Sequence, residues 1–265
     1  MAAFLSHLSP LGLAAALVLA FTALALGSVL AMERWGTRIQ LGRASSDYGL
    51  LVGGPMATVF ALVFALVVIA IWQNYDRVRN QVSEEAGCIH NIYRCLESYP
   101  PAVRDPARAL VRRYVQQVIN HEWQALGEGR EDPEAHRLIT EVNARLVAYR
   151  PRSLGELPLH QEVLAQVSRY RELRHARLEA GIPTVDATMW ISLDIGTLIL
   201  LVYCSLWGLE GEKRNLFLAA TRGASLGIVF FLLLAYNHPF AGPAAVDPGP
   251  FQSLLENNWS ANGRW

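Results

Sequence analysis

Two ionisable side chains stand inside otherwise apolar runs of this chain: Asp194 in VDATMWISLDIGTLILLVYCSLW and Arg222 in LFLAATRGASLGIVFFLLLAY. A charge at mid-bilayer costs at least about 2.5 kcal/mol, so such residues either pair with each other or serve ion passage. Counted from the ends of their runs they lie roughly 8 Å apart along the membrane normal, within an arginine's reach, and an ion pair is expected. A third ionisable group, Glu85, falls in a narrow apolar seam. A carboxylate there is either left where the seam opens to solvent or held by a partner, and the solvent-facing end is the expectation. A different chemistry is open to Phe60, Phe64 and Val68, spaced i, i+4, i+8 below Gly53-Gly54-Pro55. Such a line either packs against lipid and protein or forms a hydrophobic neck that gates by dewetting. The acids Glu84, Glu85, Asp186 and Asp247, with His238, fall near one membrane surface and read as solvated groups, so no metal is expected.

Catalytic signatures are missing. The chain has no P-loop, no HExxH, no G-x-S-x-G and no CxxC, and its seven histidines never take the spacing of a metal pair on one helix face. No enzyme activity and no cofactor are expected. With 23 basic and 23 acidic residues the formal charge is zero, which offers no electrostatic footprint for nucleic acid. Of the three cysteines, Cys88 and Cys95 lie about 10 Å apart along one helix, beyond disulfide reach, and free thiols are expected.

These residues need a membrane to position them. At 52% hydrophobic and 17% charged, with the apolar residues gathered in blocks, the chain reads as an all-α integral membrane protein. Four spans are expected, at about 11–32, 49–72, 185–207 and 216–236. The first lacks the basic flank of a signal peptide and reads as retained. The second runs on as a helix through an apolar seam, Tyr75, Val78, Val82, Ile89, Ile92 and Leu96, that leaves the bilayer. Pro100-Pro101 breaks it, and three further helical patterns follow, the last ending before Gly181 and Pro183 and leading into span three. The division is therefore an N-terminal hairpin (1–72), a helical extramembrane domain (73–182) built on extensions of spans two and three, a C-terminal hairpin (183–236), and a Pro/Gly-rich tail (237–265). Ser45 to Asp47 form a plausible N-cap for span two. An even span count places both termini and the helical domain on one side. Arginines and lysines are nearly balanced across the membrane; the two free cysteines of the domain favour its cytoplasmic placement. In the tail, Phe240 and Phe251 are expected to anchor an irregular segment at the membrane interface.

The segment NYDRVRNQVSEEAGCIHNIYR, 74–94, resembles the signature after the second span in the bestrophin-like membrane family, a four-span domain of unknown function. The positions that carry the likeness are Tyr75, Asp76, Arg77, Glu84, Glu85 and Arg94. NHPFAGPAAVDPGPF is similar to the closing motif of that family, through His238, Pro239, Phe240, Gly242, Asp247 and Phe251. Gly87, Cys88, His90 and Asn237-His238 depart from the pattern. The resemblance implies an architecture like that of bestrophins, pentameric anion channels whose second span lines the pore. It points to a homo-oligomer in a lipid bilayer, in the bacterial inner membrane, passing small anions along span two. The alternative is a non-conducting membrane scaffold or sensor that signals through its helical domain.

Overall fold

The computed structural model describes residues 9–34, 43–181, 184–206 and 212–256. The side chains of the Ser45–Asp47 cap and the whole of Pro183 lie outside that description. The chain folds into helices α1 (Pro10–Arg34), α2 (Arg43–Cys95), α3 (Pro101–Gln117), α4 (Trp123–Gly127), α5 (Pro133–Ala148), α6 (Glu156–Glu179), α7 (Ala187–Leu206), α8 (Glu212–Tyr236) and α9 (Gly249–Glu256). No strand occurs among the described residues.

Four segments are long and apolar enough to cross a bilayer: Pro10–Met32, Gly53–Ser98 with its polar continuation, Ala187–Ser205 and Lys213–Tyr236. This is a multi-pass membrane protein. Helix α2 continues unbroken from its span into the domain, as the seam requires, and stops where Pro100 and Pro101 follow a short 3-10 turn. Helix α6 is separate from span three: it ends at Glu179, and α7 begins at Ala187 after a break whose Val185 N–H donates to Asn237 Oδ1 (2.8 Å).

Span one packs chiefly on span four, and the reason is glycine. A Cβ at Gly223 would stand 2.5 Å from the Phe21 carbonyl oxygen, and one at Gly227 would stand 2.6 Å from Val18 Cα. This G-x-x-x-G pair lets two backbones approach where dispersion, not water, drives association. Span two meets span three through side chains instead: the Tyr203 ring covers Gly53 and the Phe60 ring covers Gly196. Ser28 and Ser205 share a hydrogen bond of 2.7 Å between spans one and three.

Outside the spans, the seam residues Val78, Val82, Ala86, Ile89 and Ile92 of α2 and Leu96 just after it are buried with Val111 and Tyr114 of α3, Val118 just beyond α3, and Val163, Val167 and Tyr170 of α6 in one core. The tail closes that core. Phe240 (6% exposed) and Phe251 (0%) pack edge-on against Trp123, whose indole N–H donates to the Val246 carbonyl (2.9 Å). The expected interfacial anchoring of these two phenylalanines is thereby corrected: each is sealed in the domain core, where an aromatic ring buries more apolar area than headgroups would cover. Gly242, at φ +91, takes the left-handed turn that brings the Val246 N–H back to the Pro239 carbonyl.

Candidate functional site

The polar residues that the fold brings together lie at the centre of the domain. On α6 the buried positions Val163, Val167, Tyr170 and Leu173 mark one stripe, and the same stripe continues with Arg174 and Arg177, 6% and 0% exposed. Opposite stands Glu85 of α2, also fully buried. The third wall is Glu122, which closes a π-helical turn, Val118–Glu122, between α3 and α4. Val118, Glu122 and Leu126 are all buried at a spacing of four. In a regular helix that spacing drifts by about 40° per step; the wider π turn holds the line straight and carries the Glu122 carboxylate into the core.

The geometry is a linear chain of ion pairs running from Glu85 to Glu131. Arg177 Nε and Nη2 donate to the two Glu85 oxygens (2.6 and 3.1 Å), and Nη2 also reaches Glu122 Oε2 (3.1 Å). Arg174 Nη2 donates to Glu122 Oε1 (2.5 Å), and Nη1 to Glu131 Oε1 (3.2 Å). The Arg177 guanidinium also lies over Trp123 and Phe251, 5.3 and 5.8 Å from the ring centroids. Tyr170 donates its hydroxyl to that of Tyr114 beside the cluster. Burial pushes Glu85 above the usual carboxylate range, against the pull of Arg177. Burial also opposes the Arg177 charge, but Glu85 and Glu122 outweigh it and hold the guanidinium protonated. Burial raises both tyrosine hydroxyls, so they serve as neutral hydrogen-bonding groups. The arrangement ties α2, the π turn, α6 and, through the rings, the tail into one unit. The expected solvent-facing Glu85 is corrected: a fully desolvated carboxylate persists because two arginines share it and its neighbour.

Of the residues singled out from the sequence, Glu85, Phe240 and Phe251 meet here. The others scatter. Tyr75 stacks edge-on with Tyr236 at 4.9 Å. Glu84 is exposed and pairs with Arg169 (3.0 Å). Asp76, Arg77, Arg94 and Asp247 are exposed, and His238 is half-buried. The missed members, Glu122, Arg174 and Arg177, did leave a signal, since Arg174 and Arg177 occupy positions that complete the apolar spacing of α6.

Within the spans, two expectations are corrected. Arg222 does not pair with Asp194; its Nη1 donates to the Cys204 carbonyl (3.2 Å), about 15 Å along α7 from Asp194, which is exposed. Axial counting ignored which way each side chain points around its helix. The Phe60, Phe64 and Val68 line faces the chain's own spans: Phe64 is 7% exposed, edge-on to Phe230 at 5.4 Å, and Phe60 lies on Gly196. The line packs within the chain's own spans, Phe64 most fully, while Phe60 and Val68 are partly buried. The opposite face of α2 is uncovered at membrane depth among the described residues: Leu62, Leu66 and Ile69 are 61%, 58% and 50% exposed, and the line runs on through exposed Gln73, Arg77, Asn80 and Glu84 beside α6.

Long membrane helices in a two-plus-two layout, with the second span driven deep into a helical domain and locked there by buried charges, define a class of all-α membrane proteins. The chain belongs to the Bestrophin-like domain family, whose profile matches residues 8–251. Its fold is that of a bacterial Bestrophin homolog from Klebsiella pneumoniae, solved as a variant carrying a mutation, at 14% identity and TM-score 0.62, over 92% of this chain and 96% of the other. A crystal structure described as that of a membrane protein, also a variant, is equally similar, at 11% identity and TM-score 0.63, over 93% and 97%. No curated protein matches the sequence significantly.

Proposed function

We propose that the protein assembles as a homo-oligomer in which the outward face of α2 lines a path for small anions. The observation that carries this reading is the unpartnered stripe on α2. It passes from Leu62, Leu66 and Ile69, which no element covers at membrane depth among the described residues, to exposed Gln73, Arg77, Asn80 and Glu84 in water, where α6 runs alongside and its Arg169 pairs with Glu84. Four packed spans enclose no aqueous path by themselves, so a ring of copies must supply the other walls. Membership of the bestrophin-like family favours the same arrangement. Anions are preferred because Arg77 and Arg79 stand exposed at the domain-side mouth without an ion pair among the described residues. The bacterial inner membrane is the proposed location, with the domain and both termini in the cytoplasm, a placement supported by the free thiols of Cys88 and Cys95.

Chloride flux from proteoliposomes tests the reading. A Leu62→Ala/Leu66→Ala variant should leak more than wild type, because shortening the apolar stripe lets water enter the constriction. A Phe60→Ala/Phe64→Ala variant should instead lose stability, about 3 kcal/mol or more per ring, without a gain in flux per folded oligomer. If wild type and the leucine variant are folded oligomers and neither conducts, the scaffold or sensor reading replaces the channel.

A further inference from the structure

A groove of about 780 Å3 opens to water between α5 and α6, on the outer side of the buried cluster. Its volume suits a small organic ligand. Arg174, whose side chain is 7% exposed, reaches it from the buried cluster; its Nε lies below the surface without an acceptor. The lining also includes Arg171, His136 and His175, with Asn143 and Ser168 as neutral hydrogen-bonding groups. Both of its acids are paired: Glu172 is 3.4 Å from Arg169 outside the groove, and Glu131, half exposed, bridges Arg174 (3.2 Å) and His136 (3.4 Å) within it. Glu179 stands at the rim, its carboxylate 3.1 Å from His175 Nε2. Arg171 has no ion-pair partner among the described residues.

We propose that this groove binds a small carboxylate- or phosphate-bearing anion from the aqueous phase, with Arg174 as buried anchor and Arg171 and His175 as outer donors. Glu131 occupies the outer N–H of Arg174 as an internal carboxylate, and an incoming oxyanion takes that place. A guanidinium offers planar, charge-assisted hydrogen bonds to either oxyanion. The same guanidinium holds Glu122, which shares Arg177 with Glu85. An anion at Arg174 therefore pulls on a chain of ion pairs that ends on the helix of span two. Glu85 lies about 18 Å along α2 from Gln73, beyond the headgroups, so the ligand is a solute and not a lipid.

Calorimetric titration of the purified full-length protein with sodium phosphate, and separately with succinate, tests the site without reference to conduction. Saturable heat at one anion per chain is expected, and the anion that gives it identifies the charged group of the ligand as phosphate or carboxylate. Glu131→Gln should bind about tenfold more tightly, because the competing carboxylate is gone; Arg171→Ala/His175→Ala should bind about tenfold more weakly with an unchanged melting temperature. Saturation should also slow amide exchange across residues 80–92 around Glu85. No saturable heat with either anion in wild type and Glu131→Gln, or equal affinity in all three proteins, overturns the site. Binding with unchanged exchange at 80–92 overturns its link to span two.

Discussion

Arg177 is the most constrained side chain of the domain: it is fully buried, fastened to two carboxylates and flanked by two aromatic faces. Removing one partner strands the other charge, so Arg177→Met and Glu85→Leu should each cost about 3–5 kcal/mol. The double variant should cost less than the sum, read as thermal unfolding of the detergent-solubilised protein in a double-mutant cycle. His238 makes a separate, pH-dependent prediction. Burial lowers its pKa, so the unfolded chain binds more protons than the folded one between the folded value and the ordinary value of about 6.5. Its contribution to stability is present above that ordinary value and is lost as pH falls through it toward the folded value. The melting temperature should drop on acidification across that window, and His238→Gln should flatten the drop.

Between elements, close approach in the membrane depends on glycine. Adding one methyl at Gly223 or Gly227 puts a Cβ against the span-one backbone, which cannot yield as a flexible side chain would. Gly223→Ala and Gly227→Ala should each lose about 1–3 kcal/mol of stability, seen as lower monodisperse yield and melting temperature. Gly54→Ala is the control, since a Cβ there meets nothing within 4 Å, and its effect should stay within about 0.5 kcal/mol. The π turn belongs to the same scale. Its sequence, VINHE, carries no breaker, and it exists because Glu122 and Leu126 must both face a core that a regular helix would rotate away from.

For the whole molecule, the long α2 helix ties a membrane hairpin to a water-exposed domain, and the tail folds back over the junction. With four candidate spans, an even number, we propose that the two ends of the chain and the domain share one side of the membrane. In a protein cleared of native cysteines, single cysteines replacing Arg130 and Ser260 should react with an impermeant reagent from the same side, and one replacing Gln40 from the other. Labelling of positions 130 and 40 from one side would break the arrangement.

Span number, the unbroken passage of span two into the domain and the family signature were legible in the sequence. Uninterrupted apolar length and helical periodicity are local properties that a bilayer or a core can satisfy in only one way. The direction in which each span turns its side chains was not legible. In an apolar run every face carries similar residues, so period alone could not say that Phe64 turns toward Phe230 while Leu66 turns outward. Nor could it pair charges far apart in sequence. Glu85 and Arg177 meet only because α2 and α6 pack side by side, and Arg222 finds a backbone carbonyl instead of Asp194 because azimuth, and not depth alone, decides contact. Those choices rest on desolvation and packing among distant segments, which exist only once the helices are assembled.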